Sequence, residues 1–334
     1  MTHRDITKDA AYDAVAPDDF EAMLALDRYT HRSTAFDKII SATHDHFWDP
    51  LDVKYIDFSE PFDMEATPLV PEWLVASLAT DYVSDHLSDP KTRTRFINSH
   101  VHFAFSSILH GEQGALNLSA SLCHVLRDQG AQEYAANQTR EEARHVTAFA
   151  RYIRARWGEP KPCGPVLKSL LVEIIHAPEV YKKIIGMQML VEGLAMGAFA
   201  TYYQNIADPL GRKLLQLVMT DEAFHHKFGK IWADRTIPKL SAEEHAIVED
   251  WAAECFQTLL FNLVAPSQQV GLYEAFGLDP DKVLEAFREL MTDEKRREML
   301  QRSSNIFRVL VKTLVNAGII TDRTRAFYAT YVDL

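Results

Sequence analysis

Cysteine is scarce in this 334-residue chain, which has only Cys123, Cys163 and Cys255. None forms a C-x-x-C, which argues against a zinc ribbon or a redox dithiol. So sparse and odd a set fits a reducing compartment, with each thiol acting as a small buried apolar side chain. Basic charge is also short: 35 Lys and Arg against 47 Asp and Glu give a net charge of −12. That balance predicts neither a nucleic-acid binder nor a protein drawn to anionic membranes. The N-terminus, MTHRDITKDAAYDAVAPDDFEAM, is polar and acidic and lacks the basic start and apolar run of a signal peptide. The longest apolar stretch, residues 184–200, is short for a membrane span and carries Glu192 at its middle. A soluble cytoplasmic protein is the expectation.

Strand-like alternation is nearly missing from Pro71 onward, and so are low-complexity tracts and obvious linkers. What remains is helical pattern. Helices are expected near 18–30, 71–88, 91–127, 131–157, 164–176, 178–207, 210–235, 241–264, 280–292, 294–317 and 322–332. Breakers stand at Asp89-Pro90, Gly130, Gly158–Pro165, Ala177-Pro178, Asp208-Pro209, Pro238 and Pro266. Ser241 and Glu244 form a capping-box pattern. Residues 31–70, rich in Pro and Asp, read as irregular. With 47% hydrophobic residues, the economical reading is one all-α domain over 1–334. A bundle at about 91–235 forms its core, 1–70 is an N-terminal extension, and 240–334 adds further helices.

Two short stretches then stand out. EEARH at 141–145 and DEAFH at 221–225 each hold a Glu-x-x-His, namely Glu142/His145 and Glu222/His225. Residues three apart on a helix share a face. Thirty residues before each pair lies a Glu in an apolar helix, Glu112 and Glu192, so the whole pattern repeats with an offset of 80. From Glu112 the chain runs along one helix, turns near Asp128–Gly130 and returns to Glu142. From Glu192 it turns near Asp208–Gly211 and returns to Glu222. The outward legs read as a few residues longer than the return legs, which the turns absorb. Each hairpin therefore brings its lone Glu level with its own Glu-x-x-His. Two hairpins packed together would gather four Glu and two His. Carboxylates buried among apolar residues need compensating charge. Two divalent cations supply it, and oxygen plus imidazole donors suit iron or manganese.

This residue set resembles the ferritin-like di-iron carboxylate proteins, whose bundle carries one Glu from each of two helices and a Glu-x-x-His from each of the other two. The resemblance covers roughly 95–235. It implies a ferritin-like four-helix bundle with metal ligands Glu112, Glu142, His145, Glu192, Glu222 and His225. It also implies acids that accept the outer N–H of each ligand His, here Glu141 and Asp221, each serving the His of the opposite hairpin. Arg144 would tie that network together; the plainer reading makes Glu141 and Arg144 a solvated helix pair of little worth.

The chain's size resembles the oxygen-activating branch: ribonucleotide reductase small subunits, acyl-carrier desaturases, multicomponent monooxygenases and N-oxygenases. The resemblance implies an oxidoreductase using two Fe ions, or an Mn/Fe pair. Its partners would be O2, a small organic substrate and a ferredoxin or reductase as electron donor, with a homodimer allowed. The substrate would be hydroxylated, N-oxygenated or desaturated in an apolar pocket drawn from residues such as Phe105, Phe149 and Phe199. The alternative is an iron-oxidising, metal-handling protein without an organic substrate.

The chain departs from each branch. Phe149 stands where the reductase subunits place a radical-bearing Tyr, although Tyr152 is near. Ala195 and Met196 stand where oxygenases and desaturases carry a Thr. Val218 stands where the N-oxygenases carry a further His. Of the remaining histidines, His44 and His46 lie on an irregular segment without further ligands. His110 and His226 point off the ligand face, and His100 and His102 read as helix packing or as an entrance lining.

Overall fold

Aspartates start the long helices. Asp89, Asp128 and Asp208 each accept a backbone N–H of the first turn, from Thr92 at 2.8 Å, Ala131 at 3.0 Å and Leu210 at 3.1 Å. Pro90 and Pro209 follow two of these caps and preset the helical φ. The computed structural model describes residues 11–17, 19–263, 266–292, 294, 295, 298 and 306–328. Its long helices are α5 (Pro90–Val125), α6 (Gln129–Trp157) and α10 (Pro209–Thr236). A fourth continuous helical run comprises α8 (Val180–Lys183), a π-helical segment (Ile184–Val191) and α9 (Glu192–Asn205). Among the described residues there is no β-strand, only one isolated bridge between Ala14 and Leu126.

The four runs form two hairpins whose legs between the acids and the turn match in length. The stretch from Glu112 to the end of α5 at Val125 equals in length the stretch from the start of α6 at Gln129 to Glu142. The stretches from Glu192 to Asn205 and from Pro209 to Glu222 match them and each other. At a rise of about 1.5 Å per residue, each Glu sits about 20 Å from its turn. The outward and return legs are therefore equal, not unequal as the turn positions in the sequence suggested. The helix ends fall at Val125 and Asn205, and each turn is closed by the short segment that follows. The last residue of that segment, Asp128 or Asp208, is the cap, and these two also obey the offset of 80.

Apolar side chains at the two ends of the hairpins form two separate cores. One gathers Leu118, Leu122, Tyr134, Met189, Phe228 and Trp232. The other gathers Phe96, Phe105, Phe149, Tyr152, Phe199 and Val218. On each of the four helices the acidic residues fall between its contributions to the two clusters. A polar layer thus crosses the bundle at mid-height with apolar packing on both sides, which removes it from water.

The flanks close over this bundle. α1 (Phe20–Met23) and α2 (Leu26–Thr30) precede α3 (Asp37–Asp45), which packs on α6 and α10. Residues 31–70 are therefore not wholly irregular: Phe36, Ile39 and Ile40 give α3 a buried face. The expected helix 71–88 is instead two 3-10 turns, Glu72–Leu74 and Ala76–Ala79, followed by α4 (Asp81–His86). The cap at Thr80 begins a new helix there, its hydroxyl accepting from Val83 N.

α7 (Pro165–His176) packs on α5, and α11 (Ala242–Leu263) packs on α7 and the π segment. α12 (Val270–Ala275) and α13 (Pro280–Leu290) follow. α14 (Ile306–Asn316) lies on α9 so closely that a Cβ on Gly193 would come within 2.7 Å of Leu310. α15 (Arg325–Tyr328) completes the described chain. Much of the first half of the expected helix 294–317, and the end of the expected helix 322–332, lie outside the described residues.

The run Val180–Asn205 is long and apolar enough, by length and composition, to cross a membrane, yet 61% of its most apolar window is buried in the fold. Its burial and its central Glu192 are those of a core helix.

Glu249 of α11 locks the C-terminal segment. Its carboxylate accepts from Thr321 N at 2.9 Å, Thr321 Oγ1 at 2.5 Å, Thr324 Oγ1 at 2.6 Å and Arg323 Nε at 2.9 Å. Burial pushes its pKa up, but these donors outweigh burial and hold it down to about 2, against an ordinary 4.5. A depressed carboxylate stabilises the fold above its unfolded pKa and loses that contribution as pH falls through the folded value. Glu249→Gln is expected to destabilise the protein by about 1–3 kcal/mol near neutral pH. In urea titrations its difference from wild type should fade between pH 4.5 and about 2.

Candidate metal centre

The equal hairpin legs bring all six predicted ligands to one place. Glu112, Glu142, His145, Glu192, Glu222 and His225 are each at most 5% exposed. They form two overlapping groups, Glu112/Glu142/His145/Glu222 and Glu142/Glu192/Glu222/His225. Within each group one donor atom per residue lies within 4.8 Å of all the others. Glu142 and Glu222 belong to both groups.

The oxygens divide accordingly. His145 Nδ1 stands 3.2 Å from Glu112 Oε2, 3.3 Å from Glu142 Oε2 and 3.2 Å from Glu222 Oε1. His225 Nδ1 stands 3.1 Å from Glu142 Oε1, 3.1 Å from Glu222 Oε2 and 3.9 Å from Glu192 Oε2. Glu142 and Glu222 thus each point one oxygen at either histidine, while Glu112 and Glu192 are terminal.

The outer histidine nitrogens settle which ring nitrogen faces inward. His145 Nε2 lies 2.9 Å from Asp221 Oδ2, and His225 Nε2 lies 3.0 Å from Glu141 Oε2. Each partner comes from the opposite hairpin. A carboxylate can only accept from these nitrogens, so both Nε2 atoms carry hydrogen and both Nδ1 lone pairs face the acids. A lone pair surrounded by carboxylate oxygens is repulsive unless a proton or a cation sits between them. Donors around a cation at about 2.0–2.2 Å lie about 3 Å apart, close to five of the six separations above. The donor set therefore fits a pair of divalent cations.

Protons fill the role when no cation does. Burial lowers the pKa of both histidines. Glu112 beside His145, and Glu142 and Glu222 beside His225, outweigh it and raise both well above the usual range. Burial first, then Glu222, pushes Glu112 and Glu192 well above the usual carboxylate range. Burial also works to raise Glu222, yet His225 and its other partners hold it down to about 2. All four of these upward shifts favour the protonated forms.

The supporting network extends further than sequence patterning shows. Arg144 donates to Asp221 Oδ2 at 2.7 Å and stands 3.9 Å from Glu141. It is no solvated pair, because its side chain is 10% exposed. Trp48, invisible as a site residue in an Asp- and Pro-rich stretch, donates its indole N–H to Asp221 Oδ2 at 2.8 Å. Its ring stacks on His145 with centroids 6.0 Å apart, and the Arg144 guanidinium lies 4.9 Å from the centroid of the same ring. His46 Nε2 is 3.6 Å from Asp221 Oδ1, so the HDH stretch touches the outer network and not the ligand groups.

Gln138, one helical turn before Glu142, donates to Glu142 Oε1 at 3.0 Å and to Glu192 Oε1 at 3.4 Å. The signal for it was a stripe along α6, Tyr134, Gln138, Glu142 and His145, at helical spacing. Between α3 and α6 a small cavity reaches Glu141 and Arg144.

Several other residues singled out in the sequence make packing or hydrogen-bond contacts away from the acids. His100 pairs with Gln269, and the backbone carbonyls of Glu159 and Lys161 meet His102 and His110. Tyr152 donates to the cap Asp208 at 2.9 Å and is thereby turned from the acids. Phe149 packs between Phe105 and Phe199.

Asp221→Asn is expected to weaken divalent cation binding by about 10–100-fold, read by competition with a chromophoric chelator. Cation loading should also release protons, on the order of two per ion, and weaken as pH falls. Calorimetry in two buffers of different ionisation enthalpy checks this. No family model matches the chain, and no curated protein matches it in sequence.

Proposed function

We propose that this protein is a ferritin-like di-iron carboxylate oxidase or oxygenase. It would use O2 to oxidise a small organic substrate in a reducing cytoplasm, with electrons from a ferredoxin or reductase. The observation that carries this reading is the division of oxygens. Two buried carboxylates, Glu142 and Glu222, each serve both histidine positions. A lone structural ion needs no such sharing. Two adjacent redox cations held this way supply two electrons together, which suits the reduction of O2.

The chain's own groups do the rest. Glu112 and Glu192 complete the two positions. Asp221 and Glu141 fix the inner tautomer of His145 and His225. Trp48 covers the His145 side, and the two apolar cores keep bulk water from the layer. Oxygen and imidazole donors also accept manganese at one position.

Anaerobic loading with two equivalents of ferrous iron, followed by O2, tests the proposal. Rapid O2 uptake with a magnetically coupled diferric Mössbauer signal is expected, with uptake then sustained by reductant and an organic substrate. Uptake that stops at iron oxidation under every substrate would favour an iron-handling protein. Glu222→Ala removes one shared carboxylate and should slow O2 uptake by at least about 100-fold, the scale of losing a group that acts on the reacting centre.

A further inference from the structure

The surroundings of the two histidines are not equivalent. Five of the six approaches between an inner histidine nitrogen and a carboxylate oxygen are 3.1–3.3 Å. The sixth, His225 to Glu192, is 3.9 Å. Glu112, the terminal acid of the other position, stands at 3.2 Å. Glu192 stands farther from its histidine; its carboxyl hydrogen-bonds to Glu222, and Gln138 Nε2 lies 3.4 Å from its Oε1.

The same nitrogen lies 3.0 Å from Glu142 Oε1, and that oxygen is the one facing His225. A single amide thus reaches Glu192, the terminal carboxylate of the His225 position, and the one Glu142 oxygen that faces His225. Among the described residues, no side chain but His145 donates to Glu112.

The amide orientation follows from its surroundings. Glu142, held ionised by the two histidines, can only accept, so the NH2 faces its Oε1 and brings the same nitrogen to Glu192 Oε1. Gln138 is fully buried and its Oε1 has no partner. An amide that leaves its acceptor unpaired in the core is held in place by the bonds its donor makes. Glu192 also follows directly on the π-helical segment Ile184–Val191. Such wide turns are frequent at functional sites.

We infer that Gln138 is a positioning residue that makes the two cation positions unequal: the His145 position fills first, and the His225 position holds its ion more weakly with Glu192 as its movable ligand. A cation at His225 must draw Glu142 Oε1 and Glu192 inward against the hydrogen bonds that Gln138 gives them. A cation at His145 meets no such competitor. This rests on the two-cation reading above.

Stepwise Mn²⁺ titration of the full chain, followed by electron paramagnetic resonance and calorimetry, tests it. Wild type should bind two ions in separate steps. Gln138→Leu keeps the volume and removes the donor. It should tighten the second step by about tenfold, the scale of one hydrogen bond to a charged group, and leave the first unchanged. A merely structural role would weaken both steps together. Should that variant misfold, wild-type crystals with one equivalent of Mn²⁺ decide the matter by anomalous scattering. The peak belongs beside Glu112 and His145. A peak beside Glu192 and His225, or a variant with both steps unaltered, overturns the inference while leaving the two-cation reading intact. Fewer than two ions bound by wild type overturns both.

Discussion

Uncompensated negative charge in the interior is the constraint around which this molecule is built. Six buried carboxylates, Glu112, Glu141, Glu142, Glu192, Asp221 and Glu222, share one layer with a single guanidinium, Arg144. Fully ionised, with neutral histidines, that layer carries six negative charges against one positive, a net of −5. Two divalent cations reduce it to −1. Without them the protein must take up protons, which is why Glu112, Glu192 and both histidines bind protons more tightly than usual. No stability argument favours such a layer over apolar packing, since a buried charge cluster costs several kcal/mol per uncompensated group. Its presence between two dry cores is therefore a statement about function.

The architecture follows from placing that layer. Two hairpins with equal legs put each lone Glu level with its Glu-x-x-His. Aspartate caps start the return helices at matching points. Each outer acid then reaches across to the other hairpin, so the network that orients the histidines also ties the hairpins together. Arg144 and Trp48 converge on one oxygen of Asp221, and the N-terminal segment becomes part of the site although it lies far from it in sequence. The repeat is not perfect: Gln138 has Val218 as its counterpart 80 positions on, and the polar member of that pair lies beside Glu142 and Glu192.

Much of this was legible in the chain because ligand chemistry and helix geometry share one spacing. Glu-x-x-His places both donors on one face of a 3.6-residue helix, and an acid buried in an apolar helix requires a partner of opposite charge. The outer acids could be named since they precede the ligand Glu residues on the same helices. Trp48 could not, because nothing in HFWDP reveals which distant helix a loop will cover. Gln138 was hidden for another reason: a neutral amide carries no charge signature, and only its place one turn before Glu142 set it apart. Residues 31–70 misled through their Pro and Asp content, which masked the short buried face of α3. The stretch 71–88 misled through continuous apolar pattern, which the Thr80 cap interrupts.

Elemental analysis is the most direct test of the central claim. Wild-type protein is reconstituted anaerobically with ferrous iron, freed of loose metal, and compared with a Glu142→Ala/Glu222→Ala variant treated alike. Two iron ions retained per wild-type chain, and essentially none by the folded variant, is the predicted result. Wild type that retains no iron, or a variant that retains as much, would contradict the account.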